Sequence, residues 1–136
     1  LYSRFEFLDL IAAQGADIIQ PDICACGGLL EMRKIAAIAE AHYVTVAPHN
    51  PMGPLATAVN LHFAAATPNF SILEYLLPGD NQWLDEPYLP KDGYLELRSD
   101  RPGLGVEVDE KLVSQDAYLH WQRTCPVRPD GSTGYI

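Results

Sequence analysis

Three residues that can accept or hold a proton each lie at or near the end of a short apolar segment. Asp22 and His49 close two of these segments, and Glu74 lies late in a third. A histidine imidazole titrates near neutral pH, so it can take up a proton and release it again. A carboxyl group can orient such an imidazole or hydrogen-bond a substrate. The three residues are therefore candidates for proton-transfer chemistry.

The spacing of these residues indicates the fold that must position them. Asp22 and His49 are 27 residues apart, His49 and Glu74 are 25 apart, and helix-like stretches fill both intervals. This is the repeat of a β/α barrel, in which catalytic residues lie at the C-terminal ends of the strands. Strands joined by helices also predict a parallel sheet with right-handed crossovers. We predict helices over 5–14, 29–42 and 54–66, and strands over 16–21, 44–47 and 70–73.

The rest of the chain loses this alternation. Prolines and glycines recur after Glu74 and predict loops. Within them we predict a short strand over 103–109 and a short helix over 109–119. We therefore divide the chain into a barrel portion, residues 1–77, and a loop-rich C-terminal segment, residues 78–136.

Composition restricts the class of protein. The net charge of −9 argues against a nucleic-acid partner, and no apolar stretch approaches the ~18–20 residues of a membrane span. The chain has three cysteines. Cys24 and Cys26 are too close in sequence to form an ordinary disulfide, and a single pair of this kind is only a weak indication of a zinc site. These features are compatible with a cytoplasmic enzyme, and the cytoplasm is the location that we predict. Because the chain opens at Leu1 inside a turn-like stretch, we expect a piece of a longer protein.

Five motifs taken together resemble one family. They are Ile-Ile-Gln-Pro-Asp (18–22), Gly27-Gly28, Ala-Pro-His-Asn-Pro-Met-Gly-Pro (47–54), Leu-Glu-Tyr (73–75) and Pro-Gly-Leu-Gly-Val-Glu-Val-Asp (102–109). As a set they are similar to the mandelate racemase branch of the enolase superfamily, and within it to sugar-acid dehydratases of the galactonate dehydratase type. The resemblance runs from residue 1 to about 113. It implies an α/β fold, namely the C-terminal part of a (β/α)8 TIM barrel (strands six to eight) plus a C-terminal segment that packs toward the capping domain.

The resemblance also implies a reaction. Enolase-superfamily sites use a Lys or His base, with Mg²⁺ on the ene-diolate. His49 is then implied to remove the proton alpha to the substrate carboxylate, while Asp22 accepts a hydrogen bond from the other ring nitrogen. Glu74 is implied to hydrogen-bond a substrate carboxylate oxygen, which works best if burial or a neighbouring anion keeps it protonated. The expected product, from an aldonate such as galactonate, is a 2-keto-3-deoxy sugar acid.

Other parts of the implied site lie outside this chain. The family holds Mg²⁺ with three carboxylates at the ends of strands three, four and five, and we expect these ligands, like the group that protonates the leaving 3-hydroxyl, upstream of Leu1. We therefore assign no metal ligand to the chain. A small-molecule sugar acid is the expected partner, and relatives of this type imply a homo-oligomer for the full-length protein.

Several alternatives stay open. A racemase or cycloisomerase of the same superfamily shares the ene-diolate, and a second base opposite His49 would indicate one. The isolated chain, lacking metal ligands, is expected to be inactive, and its open sheet has two unpaired edges that favour aggregation. Asp22 could instead be a helix cap or turn residue, and Glu74 could face solvent. Gly27-Gly28 fits either an anion-binding helix N-terminus or a tight turn.

Overall fold

The computed structural model describes residues 1–79, 83–117, 120, 126–132 and 134. Helix and strand alternate through the first half of the chain, as predicted. None of the helices among the described residues is long and apolar enough to cross a membrane. The elements in order are α1 (Arg4–Ala12), β1 (Ile18–Ile19), α2 (Leu29–Ala41), β2 (Thr45–Val46), α3 (Pro54–Ala65) and α4 (Glu110–Gln115).

Helix α1 is fixed at both ends by local sequence. The Ser3 side chain accepts a hydrogen bond from the Glu6 N–H, and the Glu6 carboxylate accepts one from the Ser3 N–H, which is a complete capping box. The helix ends at Ala12, two residues before its predicted end, because Gln14 turns the chain in the left-handed region with φ 53°. Phe7 on its inner face is buried in the core.

The strands are parallel. Ile18 lies opposite Thr45 and Ile19 opposite Val46. A third segment joins through one bridge between Val46 and Phe70. The predicted parallel order is therefore present, with β2 in the middle.

The regular strands are shorter than predicted. Pro21 and Pro48 have no N–H to donate, which interrupts a regular ladder. Pairing still continues past both prolines, because the His49 N–H donates to the Pro21 carbonyl at 3.2 Å and Asp22 and His49 form an isolated bridge. The predicted strand over 70–73 is present only as the bridge at Phe70.

Helices α2 and α3 begin with the same backbone turn. Gly28 caps α2 with φ 100° and ψ −174°, and Gly53 caps α3 with φ 98° and ψ −177°. This region of backbone space is open almost only to glycine. Pro54 then takes the first position of α3, as predicted. The two glycines thus shape the loops between the strand ends and the helices that follow.

The main core lies between the sheet and the helices. Side chains of α2 face inward at helical spacing, and they pack against Val46 of the central strand and against α1. The core residues without measurable exposure are Met32, Ile35, Ala39 and Val46. Burial of this continuous apolar surface is the main force that holds the strand ends in place.

The C-terminal segment differs from its prediction. The strand predicted over 103–109 is wrong, because Gly103 and Gly105 have φ of 64° and 70° and turn the chain. Only Val108 pairs, in a single antiparallel bridge with Leu84. Helix α4 is confirmed but covers six residues, and the predicted end at residue 119 lies outside the described residues.

This segment packs against α3. Tyr88 is buried against Ala58 and Leu61 of that helix. Arg98 holds the segment together, since its guanidinium lies 4.4 Å from the Tyr88 ring centroid and donates to the Gly105 carbonyl at 2.8 Å. The division of the chain at residue 77 stays a prediction.

Candidate active site

The three candidate residues lie side by side at one edge of the sheet. Asp22 and His49 are bridge partners just beyond β1 and β2. The Glu74 N–H donates to the Pro48 carbonyl at 3.4 Å, which places Glu74 beside the same strand end. Because the strands are parallel, all three positions are C-terminal strand ends, where β/α barrels place their chemistry.

Asp22 and His49 form a hydrogen-bonded pair. The distance from His49 Nδ1 to Asp22 Oδ2 is 2.9 Å. The Asp22 side chain is 8% exposed, and its other oxygen accepts hydrogen bonds from the backbone N–H groups of Cys24 and Ala25 at 2.8 and 3.1 Å. These two bonds hold the carboxylate in one orientation toward the imidazole. Asp22 therefore acts both as a turn residue and as the partner of His49.

This pair determines which ring nitrogen can take a proton. An ionised carboxylate only accepts hydrogen bonds, so the facing Nδ1 carries a hydrogen and donates it. The lone pair that can act as a base is then on Nε2. The His49 side chain is 48% exposed, so the ring is held by Asp22 on one side and remains accessible. The bond expected between the two residues is confirmed, while their catalytic role stays a prediction.

Glu74 lies in an exposed position. Its Oε2 accepts a hydrogen bond from the Asn50 backbone N–H at 2.8 Å. This bond holds one side of the carboxyl group at the strand end. The hydrogen bond expected from Glu74 to a substrate carboxylate oxygen stays a prediction. The position of Glu74 beside the loop of His49 agrees with a shared site.

Sequence reasoning missed Asn50, which is 2% exposed. Its amide nitrogen donates to Thr57 Oγ1 at 2.9 Å and to the Glu74 carbonyl at 3.0 Å, and its amide oxygen accepts from Asn60 Nδ2 at 3.0 Å. A signal was present in the sequence. Thr57 and Asn60 are three residues apart on a helix that is otherwise apolar on this side, so they share one face.

The loop after Asp22 is a tight turn that contains two cysteines. Desolvation, and then the negative charge of Asp22, raises the pKa of the Cys24 thiol. Desolvation is also the main cause that raises the pKa of Cys26. Both thiols are thereby kept from the reactive thiolate form. Across the described ranges, no group of three or more His, Cys, Asp and Glu side chains could hold a metal ion.

A cavity of about 550 Å³ lies elsewhere, between α3, the third strand and the C-terminal segment. It is mostly apolar, and its lining includes Leu61, Phe70, Tyr75 and Leu95. Asp22, His49 and Glu74 are not among its lining residues. This cavity is therefore separate from the group formed by the three candidate residues.

The chain is similar to known proteins over most of its length. D-galactonate dehydratase from Verminephrobacter eiseniae is 41% identical over 134 residues, which cover 93% of this chain and 34% of that protein. A D-galactonate dehydratase family member from Streptomyces bingchenggensis is 38% identical over 132 residues, covering 94% of this chain and 32% of that protein. The chain thus spans about a third of the length of the curated relatives it matches.

A solved structure is also similar. It is an enolase from Agrobacterium radiobacter, provisionally described as a galactarate dehydratase and bound to Na and L-malate. It superposes with a TM-score of 0.91 at 60% identity, covering 98% of this chain and 38% of that one. The predicted fold, part of a β/α barrel of the enolase type, is thereby confirmed. A family model described as enolase C-terminal domain-like matches residues 1–112, and the chain therefore belongs to that family.

Proposed function

We propose that this chain forms the C-terminal third of a sugar-acid dehydratase, a hydro-lyase that converts an aldonate such as galactonate to a 2-keto-3-deoxy sugar acid. The observation that carries the proposal is the hydrogen bond between His49 Nδ1 and Asp22 Oδ2 at the strand ends. It leaves an oriented, accessible imidazole in the position where barrels of this kind perform chemistry. The D-galactonate dehydratases among the relatives support the choice of substrate class.

In the proposed reaction His49 is the general base. Nε2 takes the proton from the carbon alpha to the substrate carboxylate, and the electron pair of that C–H bond passes into the carboxylate as an ene-diolate. The ene-diolate then returns to a carboxylate as the C3–O bond breaks, and the 3-hydroxyl leaves as water with a proton from a group outside this chain. The resulting enol loses its hydroxyl proton and gains one at C3 to become the 2-keto acid, so the net change is loss of one water. Asp22 stabilises the imidazolium formed in the first step, as the aspartate of a serine-protease triad does.

Glu74 has a binding role in this proposal. Its Oε2 accepts the Asn50 N–H, and the residue is exposed, so it can hydrogen-bond the substrate carboxylate oxygen that the resemblance implies. A hydrogen bond there would orient the sugar acid relative to His49.

Among the described residues, the bonds of Asp22 do not suit it to the Mg²⁺ site that the superfamily implies. One oxygen of Asp22 accepts two backbone N–H groups and the other accepts His49. Because these donors occupy the oxygen lone pairs, Asp22 has little capacity left for a cation. Mg²⁺ belongs to the proposal only through carboxylates outside this chain, and the steps assigned to His49, Asp22 and Glu74 do not depend on it.

The test is turnover by the full-length protein that contains this chain. Sugar acids that include galactonate and galactarate are supplied with Mg²⁺, and formation of the 2-keto acid is measured. His49→Asn is expected to abolish turnover, while His42→Asn, which alters an exposed histidine at the end of α2, is expected to leave it unchanged. Undiminished turnover in His49→Asn would remove the base from the mechanism.

The same experiment, run in D₂O, separates the racemase alternative. A dehydratase releases the keto acid. A racemase instead returns inverted substrate with deuterium at the alpha carbon and forms no keto acid. We also propose that the full-length protein is cytoplasmic and forms a homo-oligomer. Sedimentation of the purified protein measures its oligomeric state.

A further inference from the structure

Asn50 occupies an unusual place in the chain. It follows His49 directly, and its backbone N–H donates to the Glu74 carboxylate at 2.8 Å while its side-chain amide donates to the Glu74 backbone carbonyl at 3.0 Å. One residue thus holds both the main chain and the side chain of Glu74. His49 and Glu74 come from different strand ends, and Asn50 links them through these two hydrogen bonds, in addition to the bond from the Glu74 N–H to the Pro48 carbonyl.

The Asn50 side chain is anchored on helix α3. Its amide nitrogen donates to Thr57 Oγ1, and its amide oxygen accepts from Asn60 Nδ2. Thr57 and Asn60 are 3% and 0% exposed. A buried amide with both ends hydrogen-bonded has one favourable orientation, because any rotation leaves polar groups unsatisfied.

Helix α3 is itself a rigid base for this anchor. Ala58, Leu61 and Phe63 are buried around the polar face, and Thr57 Oγ1 donates back to the Gly53 carbonyl at 3.2 Å. The packing of helix α3 therefore fixes the position of the loop that carries His49. Exposed loops without such an anchor vary more in position.

We propose that Asn50 is a positioning residue, which sets the separation of His49 and the Glu74 carboxylate by fixing both to helix α3. This inference rests on the proposed function for its effect on catalysis, but its geometric part does not. A displacement near 1 Å in a reacting group can cost about 100-fold in rate. Asn50 itself needs no contact with substrate to have this effect.

A matched control lies at the opposite end of the same strands. The Asn69 side chain also donates two hydrogen bonds to backbone carbonyls, to Ala36 at 3.1 Å and to Val44 at 2.9 Å. It precedes Glu74 by five residues, roughly 16 Å along an extended chain at ~3.3 Å per residue. Asn69→Ala therefore removes a similar set of bonds far from the site.

The experiment compares Asn50→Ala, Asn60→Ala and Asn69→Ala in the full-length protein. For each variant, kcat and KM per folded molecule, the melting temperature and a crystal structure are obtained. We expect Asn50→Ala to lower kcat by about 10- to 100-fold and Asn60→Ala to lower it less, in the same direction. Asn69→Ala is expected to lower the melting temperature while kcat changes less than about threefold. If Asn50→Ala does not fold, Asn60→Ala, which removes one bond to the Asn50 oxygen, takes its place.

The outcomes are distinguishable. If Asn50→Ala matches Asn69→Ala in kcat, the inference is overturned and the proposed function stands. If the wild type turns over no sugar acid, the proposed function fails, and the crystal structures decide the inference. Displacement of the Glu74 carboxylate relative to His49 in Asn50→Ala, but not in Asn69→Ala, supports it, and an unchanged separation in Asn50→Ala overturns it.

Discussion

The Tyr75 hydroxyl donates a hydrogen bond to the backbone carbonyl of Tyr88 at 2.9 Å. Tyr75 follows Glu74 directly, and Tyr88 is 4% exposed within the apolar cluster on α3. The bond joins the end of the third strand to the C-terminal segment. The strand end that carries Glu74 is thus supported from its outer side as well as through Asn50.

Removal of this bond has a predictable cost. We expect Tyr75→Phe to lower the free energy of unfolding by about 0.5–1.5 kcal/mol, because the Tyr88 carbonyl loses its donor. Desolvation by burial raises the pKa of Tyr75, so the folded protein keeps this proton longer than the unfolded chain does. The wild-type advantage should therefore be complete below about pH 10, the ordinary tyrosine pKa, and shrink above it. Denaturant unfolding at pH 7 and at pH 10.5 measures both effects, and a difference that grows at high pH would contradict this account.

Asp22→Asn tests the pairing of carboxylate and imidazole. An asparagine can still accept the Cys24 and Ala25 N–H bonds through its oxygen, so the turn should fold. Its amide nitrogen would then face His49 Nδ1 as a donor, which favours the tautomer with the hydrogen on Nε2 and blocks the base. We expect a fall in kcat of about 10²–10⁴-fold, by analogy with the same change in a serine-protease triad. Steady-state kinetics and circular dichroism measure this, and wild-type kcat in a folded variant would show that Asp22 has only a turn role.

Sequence predicted the framework of this site because the framework is periodic. Apolar segments separated by helices at barrel spacing located Asp22, His49 and Glu74 at one sheet edge. The Asp22–His49 bond followed from that register, since bridge partners on adjacent parallel strands bring their side chains together. Local chemistry was readable too, as Pro54 at the start of α3 illustrates.

The remainder depended on packing that no local pattern encodes. The burial of Asn50 is set by how α3 lies across the strand ends, and the exposure of Glu74 is set by what packs on it. The strand predicted over 103–109 failed for a local reason, since apolar alternation there was outweighed by the positive φ of Gly103 and Gly105. Glycines at alternate positions were the signal that should have favoured turns.

An ion pair in the C-terminal segment gives a pH prediction. Asp85 accepts hydrogen bonds from the Glu107 N–H and from Arg101. These bonds, the Glu107 N–H foremost, lower the pKa of Asp85 from 3.8 to about 2. A lowered carboxyl pKa contributes stability that is present above the unfolded value and is lost as the pH falls through the folded value. The contribution of Asp85 should therefore decrease from about pH 4 downward and be lost only below about pH 2.

Melting temperatures at pH 5 and pH 2 check this. We expect wild type to melt above Asp85→Asn at pH 5 and the difference to be clearly smaller at pH 2. Arg101→Gln should reproduce part of the decrease in melting temperature at pH 5. Asp17→Asn alters an exposed carboxylate in another part of the chain, and its melting-temperature difference from wild type should not shrink in this way between pH 5 and pH 2. A wild-type advantage that persists unchanged at pH 2 would mean that Asp85 does not titrate in this window.

The last prediction concerns the effect of replacing Gly53, the glycine that caps α3. Gly53 has φ 98° and ψ −177°, and a Cβ built there would meet no atom within 4 Å. Any cost of Gly53→Ala is therefore backbone strain and not a steric clash, and we expect a loss of about 1–3 kcal/mol in the free energy of unfolding. Since the Gly53 carbonyl accepts the Thr57 hydroxyl beneath the loop of His49, kcat should fall as well.

The matched control is Gly79→Ala. Gly79 also has open space around a built Cβ, but its φ lies outside the region that L residues avoid. Its replacement should leave stability unchanged or raise it by up to about 1 kcal/mol through the unfolded chain. If Gly53→Ala unfolds at the same denaturant concentration as Gly79→Ala, the turn can relax without cost. The loop that carries His49 would then be held by the Asn50 anchor and not by the backbone conformation at Gly53.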